Sequence, residues 1–167
     1  MFVDESKSGA YYMVASVTAS GDVGQTREAI RKLRMPGQRR VHFKSERDAV
    51  KKAFIAEVRR LPLSAIIYVC QAKEAEARGL VLTALLEELH RCEAGMLVLE
   101  RDESLMKHDK HLIAQHSGRR KDDFSYRLMA PQDEPLLWVS DGLAWCWQRG
   151  GEWKNLVRDL VTEVRVP

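Results

Sequence analysis

The amino-acid sequence predicts a single α/β domain whose mixed sheet opens with an antiparallel hairpin and carries helices on both faces. After two strand-like segments at the N-terminus, strand-like and helix-like segments alternate along the chain, a pattern typical of such sheets. Two of the strand-like segments, LSAIIYVC (63–70) and GMLVLE (95–100), are almost entirely apolar, as in strands that are covered on both faces. The 167 residues suffice for one sizeable core and contain no internal repeat or linker.

The first 43 residues predict a hairpin, a helix and a short strand. MFV (1–3) begins a buried strand, and AYYMVASVTA (10–19), which is rich in β-branched and aromatic residues, predicts its partner. A helix is expected over 23–35 because apolar residues recur there at helical spacing, and Pro36-Gly37 ends it. RRVHF (39–43) predicts a short strand.

Helices and strands continue to alternate after residue 44. A helix is expected from a Ser45 cap to about Arg60, where Pro62 closes it. The helix expected over 135–150 has both a start signal, Pro135, and a stop signal, Gly150. The other expected elements are strand 63–70, helix 74–92, strand 95–100, helix 102–115, strand 124–129 and helix 152–164.

The bulk properties exclude some classes of protein and leave others open. No apolar run reaches the roughly 18 residues of a membrane span, and the N-terminus lacks a secretory signal, so a cytoplasmic protein without membrane contact is expected. The net charge is only +3, but basic residues cluster in RKLRMPGQRR (31–40) and HSGRRK (116–121). Each cluster is consistent with a solvated surface and with contact to phosphate groups.

Acidic residues follow two predicted strands and interrupt one apolar helix. Asp4 and Glu5 follow the first strand, and Glu100 and Asp102 come at the end of strand 95–100. The residues three and four positions before and after Asp141 are all apolar, which places this acid on the buried stripe of its helix. Carboxylates do not gather without a cation between them, and Mg²⁺ or Mn²⁺ suits carboxylate oxygens. Two such ions support attack of water on a phosphodiester.

Each acid also has a structural interpretation. Asp4 is as well explained by capping a turn, and Glu5 by a salt bridge or exposure to solvent. Asp102 is suited to the N-cap of the following helix. Asp141 has Arg127 as a candidate partner for a structural ion pair. What favours a site is the coincidence of acids at two strand ends and inside an apolar helix.

A second candidate group comes from VHFKSERD (41–48). His42 and Lys44 flank Phe43, so on a short strand they would share one face. A histidine there is suited to orienting a phosphate or transferring a proton, and a purely structural histidine is an equal alternative.

Three stretches together resemble the prokaryotic family called domain of unknown function 3800. They are FVDES followed by the YYMVASV strand, VHFK, and LLWVSDGLAWCWQRG, and in order and spacing they cover nearly the whole chain. The sequence departs from the family pattern at Lys7-Ser8, which displace a glycine, and at Val139-Ser140. The resemblance implies a ribonuclease-H-like fold and a divalent-metal nuclease site with Asp4 and Asp141 as the motif matches. It also implies an acid from the central strand, either Asp102 or Glu100.

The sequence therefore predicts a metal-dependent nuclease, acting on RNA or DNA, with Mg²⁺ or Mn²⁺ as cofactor. The alternative is a non-catalytic module of the same fold that binds nucleic acid or a protein, and a homodimer is compatible with either. The expected metal ligands are Asp4, Asp102 and Asp141, with Glu5 and Glu100 as further catalytic candidates, and the expected substrate-binding residues are His42, Lys44, Arg119, Arg120 and Lys121.

Overall fold

Six strands and six helices make up the part of the chain described by the structure, a computed structural model covering residues 1–7, 9–117 and 124–167. The strands are β1 (Phe2–Ser6), β2 (Tyr11–Thr18), β3 (Leu63–Cys70), β4 (Met96–Glu100), β5 (Ser125–Met129) and β6 (Val161–Val166). The helices are α1 (Val23–Arg31), α2 (Asp48–Val58), α3 (Glu74–Arg91), α4 (Met106–Ser117), α5 (Pro135–Arg149) and α6 (Gly151–Val157).

The strands form one mixed sheet in the order β5-β4-β1-β2-β3-β6. Strands β1, β2 and β3 are successively antiparallel, whereas β4 pairs with β1, β5 with β4 and β6 with β3 in parallel. The β1–β2 turn contains Gly9 at φ 86°, a left-handed conformation that glycine adopts without steric cost. The predicted fold class, a mixed sheet opened by an antiparallel hairpin, is confirmed.

Helices cover both faces of this sheet because its central strands alternate apolar residues between two cores. Phe2 and Val14 belong to the core that also contains residues of α1, α2, α5 and α6. Val3 and Met13 belong to the opposite core, with residues of α3 and α4. Within the described residues, no helix combines the length and apolarity that crossing a membrane requires.

The strand predicted over 39–43 is wrong. The segment is irregular and ends in a 3-10 turn at Phe43–Ser45. Val41 and Phe43 are 2% and 0% exposed in the α5-side core, so their apolar character serves packing. A strand also needs a neighbouring edge for its backbone hydrogen bonds, and the β3 edge is already paired with β6.

The helix predicted over 152–164 is wrong in its second half. Helix α6 ends at Val157, and β6 then pairs with β3 over Ala65↔Val161 to Cys70↔Val166. The VTEVRV sequence has the alternation and β-branched content of a strand.

Three helix boundaries also differ from the predicted ones. Helix α1 ends at Arg31, before the predicted residue 35. Helix α2 begins at Asp48 with Arg47 at its N-cap position, so Ser45 is not the cap. Helix α4 begins at Met106, after a turn.

Candidate active site

The carboxyl ends of β1 and β4 bring two acidic residues side by side. The parallel register sets Val3 opposite Leu99, and its continuation sets Asp4 beside Glu100. Since successive side chains in a strand point to opposite faces, Asp4 lies on the same face as Phe2, which packs in the α5-side core. Asp4 is only 9% exposed.

Helix α5 brings a third acidic residue to this face of the sheet. The Ser140 hydroxyl donates to the Phe2 carbonyl at 2.7 Å and lies 2.8 Å from the Ser16 hydroxyl, which fastens α5 to β1 and β2. On the next residue, the Asp141 carboxylate accepts a hydrogen bond from the Phe43 backbone N–H at 3.1 Å. Asp141 is therefore held between the sheet and the segment that precedes α2.

Gly142 makes the close approach of that segment possible. A Cβ atom at this position would lie 3.0 Å from Cδ2 of Phe43 and 3.4 Å from Cε1 of Phe54. Any larger residue would press the Phe43 ring away from α5. The Phe43 backbone N–H, which donates a hydrogen bond to Asp141, would move with it. The glycine thus serves the contact between α5 and the segment carrying His42 and Lys44.

Burial disfavours the charged forms of the three carboxyl groups, and Asp4 is also repelled by the other two. Burial raises the pKa of Asp4 well above its usual range, and the charges of Glu100 and Asp141 raise it further. Asp4 and Glu100 are within side-chain hydrogen-bonding reach, and burial raises the pKa of Glu100 as well. The pKa of Asp141 is raised by burial, against the opposing effects of the Phe43 hydrogen bond and of His42 and Arg40. Uncompensated buried charge of this kind is costly.

Arg40 belongs near this site, and the sequence interpretation did not single it out. Its charge lowers the pKa values of Asp4 and Glu100 as well as that of Asp141. Arg40 and His42 are half-buried and Lys44 is exposed, in alternation with the buried residues at 41 and 43. The alternation is visible in the sequence, where it predicts a strand.

Glu5 lies on the other face and does not join Asp4. Arg78, 4% exposed, contacts both carboxylate oxygens of Asp109 at 2.9 and 2.7 Å, and it also donates to Glu5 and, at 3.0 Å, to the Tyr11 hydroxyl. Tyr11 donates to Glu5 as well, and Lys7 lies 3.0 Å from it. This network neutralises Glu5 and ties β1 to α3 and α4.

Asp102 caps a turn beyond the end of β4. Its Oδ1 accepts from the Ser104 N–H at 2.9 Å and from the Ser104 hydroxyl at 2.6 Å, and these bonds lower its pKa. Strand β4 ends at Glu100, so Asp102 does not continue it. Of the two acids, Glu100 lies beside Asp4.

Two clefts flank the end of β1, and Ser6 lines both. The acid cleft, of about 580 Å³, has the charged lining residues Asp4, Glu5, Lys7, Arg78, Glu100, Arg101, Asp102 and Glu103. The basic cleft, of about 370 Å³, is lined by Ser6, His42, Lys44, Asp141, Trp145, Gln148 and Arg149. His42 and Lys44 thus face one cleft, although they do not lie on a strand.

The chemistry of the three carboxylates suits a hard divalent cation, but their arrangement is not a finished metal site. Among residues 1–7, 9–117 and 124–167, no three His, Cys, Asp or Glu side chains are placed to hold one ion. Asp4, Glu100 and Asp141 offer oxygen donors whose buried negative charge a cation would offset. Binding an ion would require these side chains to close upon it.

Arg119, Arg120 and Lys121 fall outside the described residues. Arg127, the candidate structural partner of Asp141, is exposed on the edge strand β5.

Comparisons with known proteins agree with this architecture. A chain in the solved structure of the PCNA:RNase HII complex from Archaeoglobus fulgidus superposes with a TM-score of 0.60 and 11% identity, over 88% of this chain and 71% of that one. The protein therefore has a ribonuclease-H-like fold. No protein-family model and no curated protein matches the chain, so the resemblance to domain of unknown function 3800 stays a prediction.

Proposed function

We propose that this protein is a divalent-metal-dependent nuclease that hydrolyses phosphodiester bonds of RNA or DNA. The observation that carries the proposal is that Asp4, Glu100 and Asp141, from two strands and a helix, are partly or largely buried on the same side of the sheet, where their charged forms are disfavoured. Repulsion among buried carboxylates lowers stability unless a cation binds there. The ribonuclease-H-like fold is consistent with this activity.

The proposed roles follow from where the side chains lie. Asp4, Glu100 and Asp141 would hold Mg²⁺ or Mn²⁺, with Asp102 at the outer wall of the acid cleft. When bound, such ions lower the pKa of water and offset charge on a phosphodiester. His42, near enough to lower the pKa of Asp141, would orient the phosphate that is cleaved.

The Phe43–Asp141 hydrogen bond has a role in the same proposal. The bond leaves one carboxylate oxygen of Asp141 held by the backbone and keeps the other oriented. Such positioning lowers the entropic cost of assembling a site from separate elements.

A non-catalytic module that binds nucleic acid or a protein remains a second candidate. It is favoured by the lack of three converging ligands among the described residues. In that case Asp141 anchors Phe43 and Asp4 caps its own strand end, where its Oδ1 accepts from the Glu5 N–H at 2.7 Å.

Metal-dependent thermal unfolding of wild type and Asp141→Asn tests the proposal. An ion that binds only the folded state at 100 times its Kd adds about 2.7 kcal/mol of stability. We expect Mn²⁺ to stabilise wild type, and to stabilise Asp141→Asn much less. The exposed Asp133→Asn is the matched control and should respond as wild type does.

Cleavage assays on labelled RNA and DNA, with Mn²⁺ and with EDTA, complete the test. Metal-dependent cleavage that Asp141→Asn loses and Asp133→Asn keeps is the expected result. If Mn²⁺ leaves the unfolding temperature of wild type unchanged and no strand is cut, the binding-module candidate replaces the nuclease.

A further inference from the structure

The basic cleft differs from the acid cleft in the charge it presents. Lys44 and Arg149 contribute positive charge, and Asp141 is the acid that lines it. In the acid cleft, five acids face three basic residues. The two clefts therefore suit different ligands although Ser6 borders both.

We infer that the basic cleft binds a second phosphate of the nucleic-acid strand, on a nucleotide neighbouring the one that is cleaved. The inference rests on the proposed nuclease function and deepens it. It assigns to substrate binding two residues that the motifs did not indicate, Gln148 and Arg149.

Two polar side chains of the cleft are oriented by partners at its edge. The His42 Nδ1 lies 2.8 Å from the Ser45 hydroxyl, so its other ring nitrogen is left for a ligand. The Gln148 Oε1 accepts from the Ser6 hydroxyl at 2.8 Å. The enclosed amide nitrogen of Gln148 has no hydrogen-bond partner in the described part of the chain. Phosphate oxygens are the acceptors that the Gln148 amide and the two flexible cations, Lys44 and Arg149, recognise, while the His42 nitrogen is assigned to the cleaved phosphate.

The position of Arg149 separates this phosphate from the cleaved one. Arg149 comes eight residues after Asp141 on α5, which corresponds to about 12 Å along the helix axis. Both residues line the same cleft, Asp141 nearer the middle of α5 and Arg149 at its C-terminal end, so we assign the phosphate held by Arg149 to a nucleotide adjoining the one at Asp141. The helix C-terminus alone also favours a cation at this place, but it does not explain why Lys44 lines the same cleft.

This placement makes a prediction about the substrate. The strand would follow α5 from Asp141 toward its C-terminus, with its backbone over the basic cleft. A substrate without a phosphate on that side would lose the contact with Arg149 and Lys44 and bind more weakly.

Fluorescence anisotropy with a short labelled single-stranded oligonucleotide in EDTA tests the cleft apart from catalysis. We expect Arg149→Gln and Lys44→Gln each to weaken binding several-fold and to reduce the slope of log K against log salt by about 0.7. The matched control is Arg165→Gln on β6, whose side chain is 85% exposed at the far edge of the sheet. It should bind as wild type does.

The outcomes separate this inference from the nuclease proposal. If Arg149→Gln and Lys44→Gln bind like Arg165→Gln, or if wild type binds no oligonucleotide, the phosphate subsite is refuted. If they bind more weakly but wild type cleaves nothing with Mn²⁺, the subsite stands and the nuclease proposal fails. Where wild type does cleave, Arg149→Gln should raise KM more than it lowers kcat.

Discussion

Replacing Gly142 with alanine tests the contact on which the candidate site depends. The new methyl group would lie 3.0 and 3.2 Å from two carbons of the Phe43 ring and 3.4 Å from Phe54. These rings are 0% and 2% exposed, so they have little room to move. Gly79→Ala in α3 is the matched control, because among the described residues the nearest atom to its methyl group belongs to His108, at 3.9 Å.

The magnitudes follow from two opposing effects. Alanine within a helix is favoured over glycine by about 1 kcal/mol, so Gly79→Ala should raise the free energy of unfolding by that amount. At Gly142 the same gain is set against overpacking, which costs about 1–3 kcal/mol. We therefore expect Gly142→Ala to be neutral or to lose about 2 kcal/mol, and to be less stable than Gly79→Ala by about 1–3 kcal/mol.

Urea and thermal unfolding of the two variants measure this difference. For a domain of this size about 1 kcal/mol corresponds to roughly 2–4 °C in Tm. Gly142→Ala should also reduce the stabilisation by Mn²⁺, because displacing Phe43 disturbs its hydrogen bond to Asp141. If Gly142→Ala is as stabilising as Gly79→Ala, Phe43 is not packed tightly against α5 and the described geometry of the site is wrong.

Two more predictions concern buried charge. The pKa of Asp141 is raised in the folded protein, so the native state binds its proton more tightly and its charge lowers stability as pH rises from about 4. Metal-free Asp141→Asn should therefore gain stability relative to wild type between about pH 4 and pH 7 in urea unfolding, and a difference independent of pH would contradict this. Arg78→Met leaves Asp109 buried without its partner and should cost about 3–5 kcal/mol. Arg91→Met, which breaks an exposed pair, should cost at most about 1 kcal/mol, and equal losses in Tm would show that the Arg78 network is not buried as described.

Local sequence patterns were sufficient to predict most of the architecture. The apolar runs that form β3 and β4 can be recognised as buried strands from the sequence, since few other elements of that length are apolar throughout. Helix α5 carries Pro at its start and Gly at its end, and it lies within one residue of its prediction. Such signals depend on neighbours along the chain, and these are visible without a tertiary structure.

The errors fell where distant parts of the chain compete for the same role. RRVHF and VTEVRV have similar short-range patterns, but only the second pairs with β3. The first buries Val41 and Phe43 under α5. Pairing with a strand far away in sequence decides such cases, and neither segment contains that information.

The acids divide in the same way. The sequence by itself indicated Asp4 and Asp141, because one follows a buried strand and the other lies on the apolar stripe of a helix. Burying a carboxylate at either position costs free energy unless a partner compensates its charge. Only the tertiary structure showed that Glu100 lies beside Asp4, whereas Glu5 is neutralised by Arg78 on the opposite face and Asp102 caps a turn. The physical reason is that the free-energy cost of burying a carboxylate depends on its own position in a helix or strand, which the local sequence pattern indicates. The compensating partner comes from another element, whose position is set by the pairing of strands and the packing of helices.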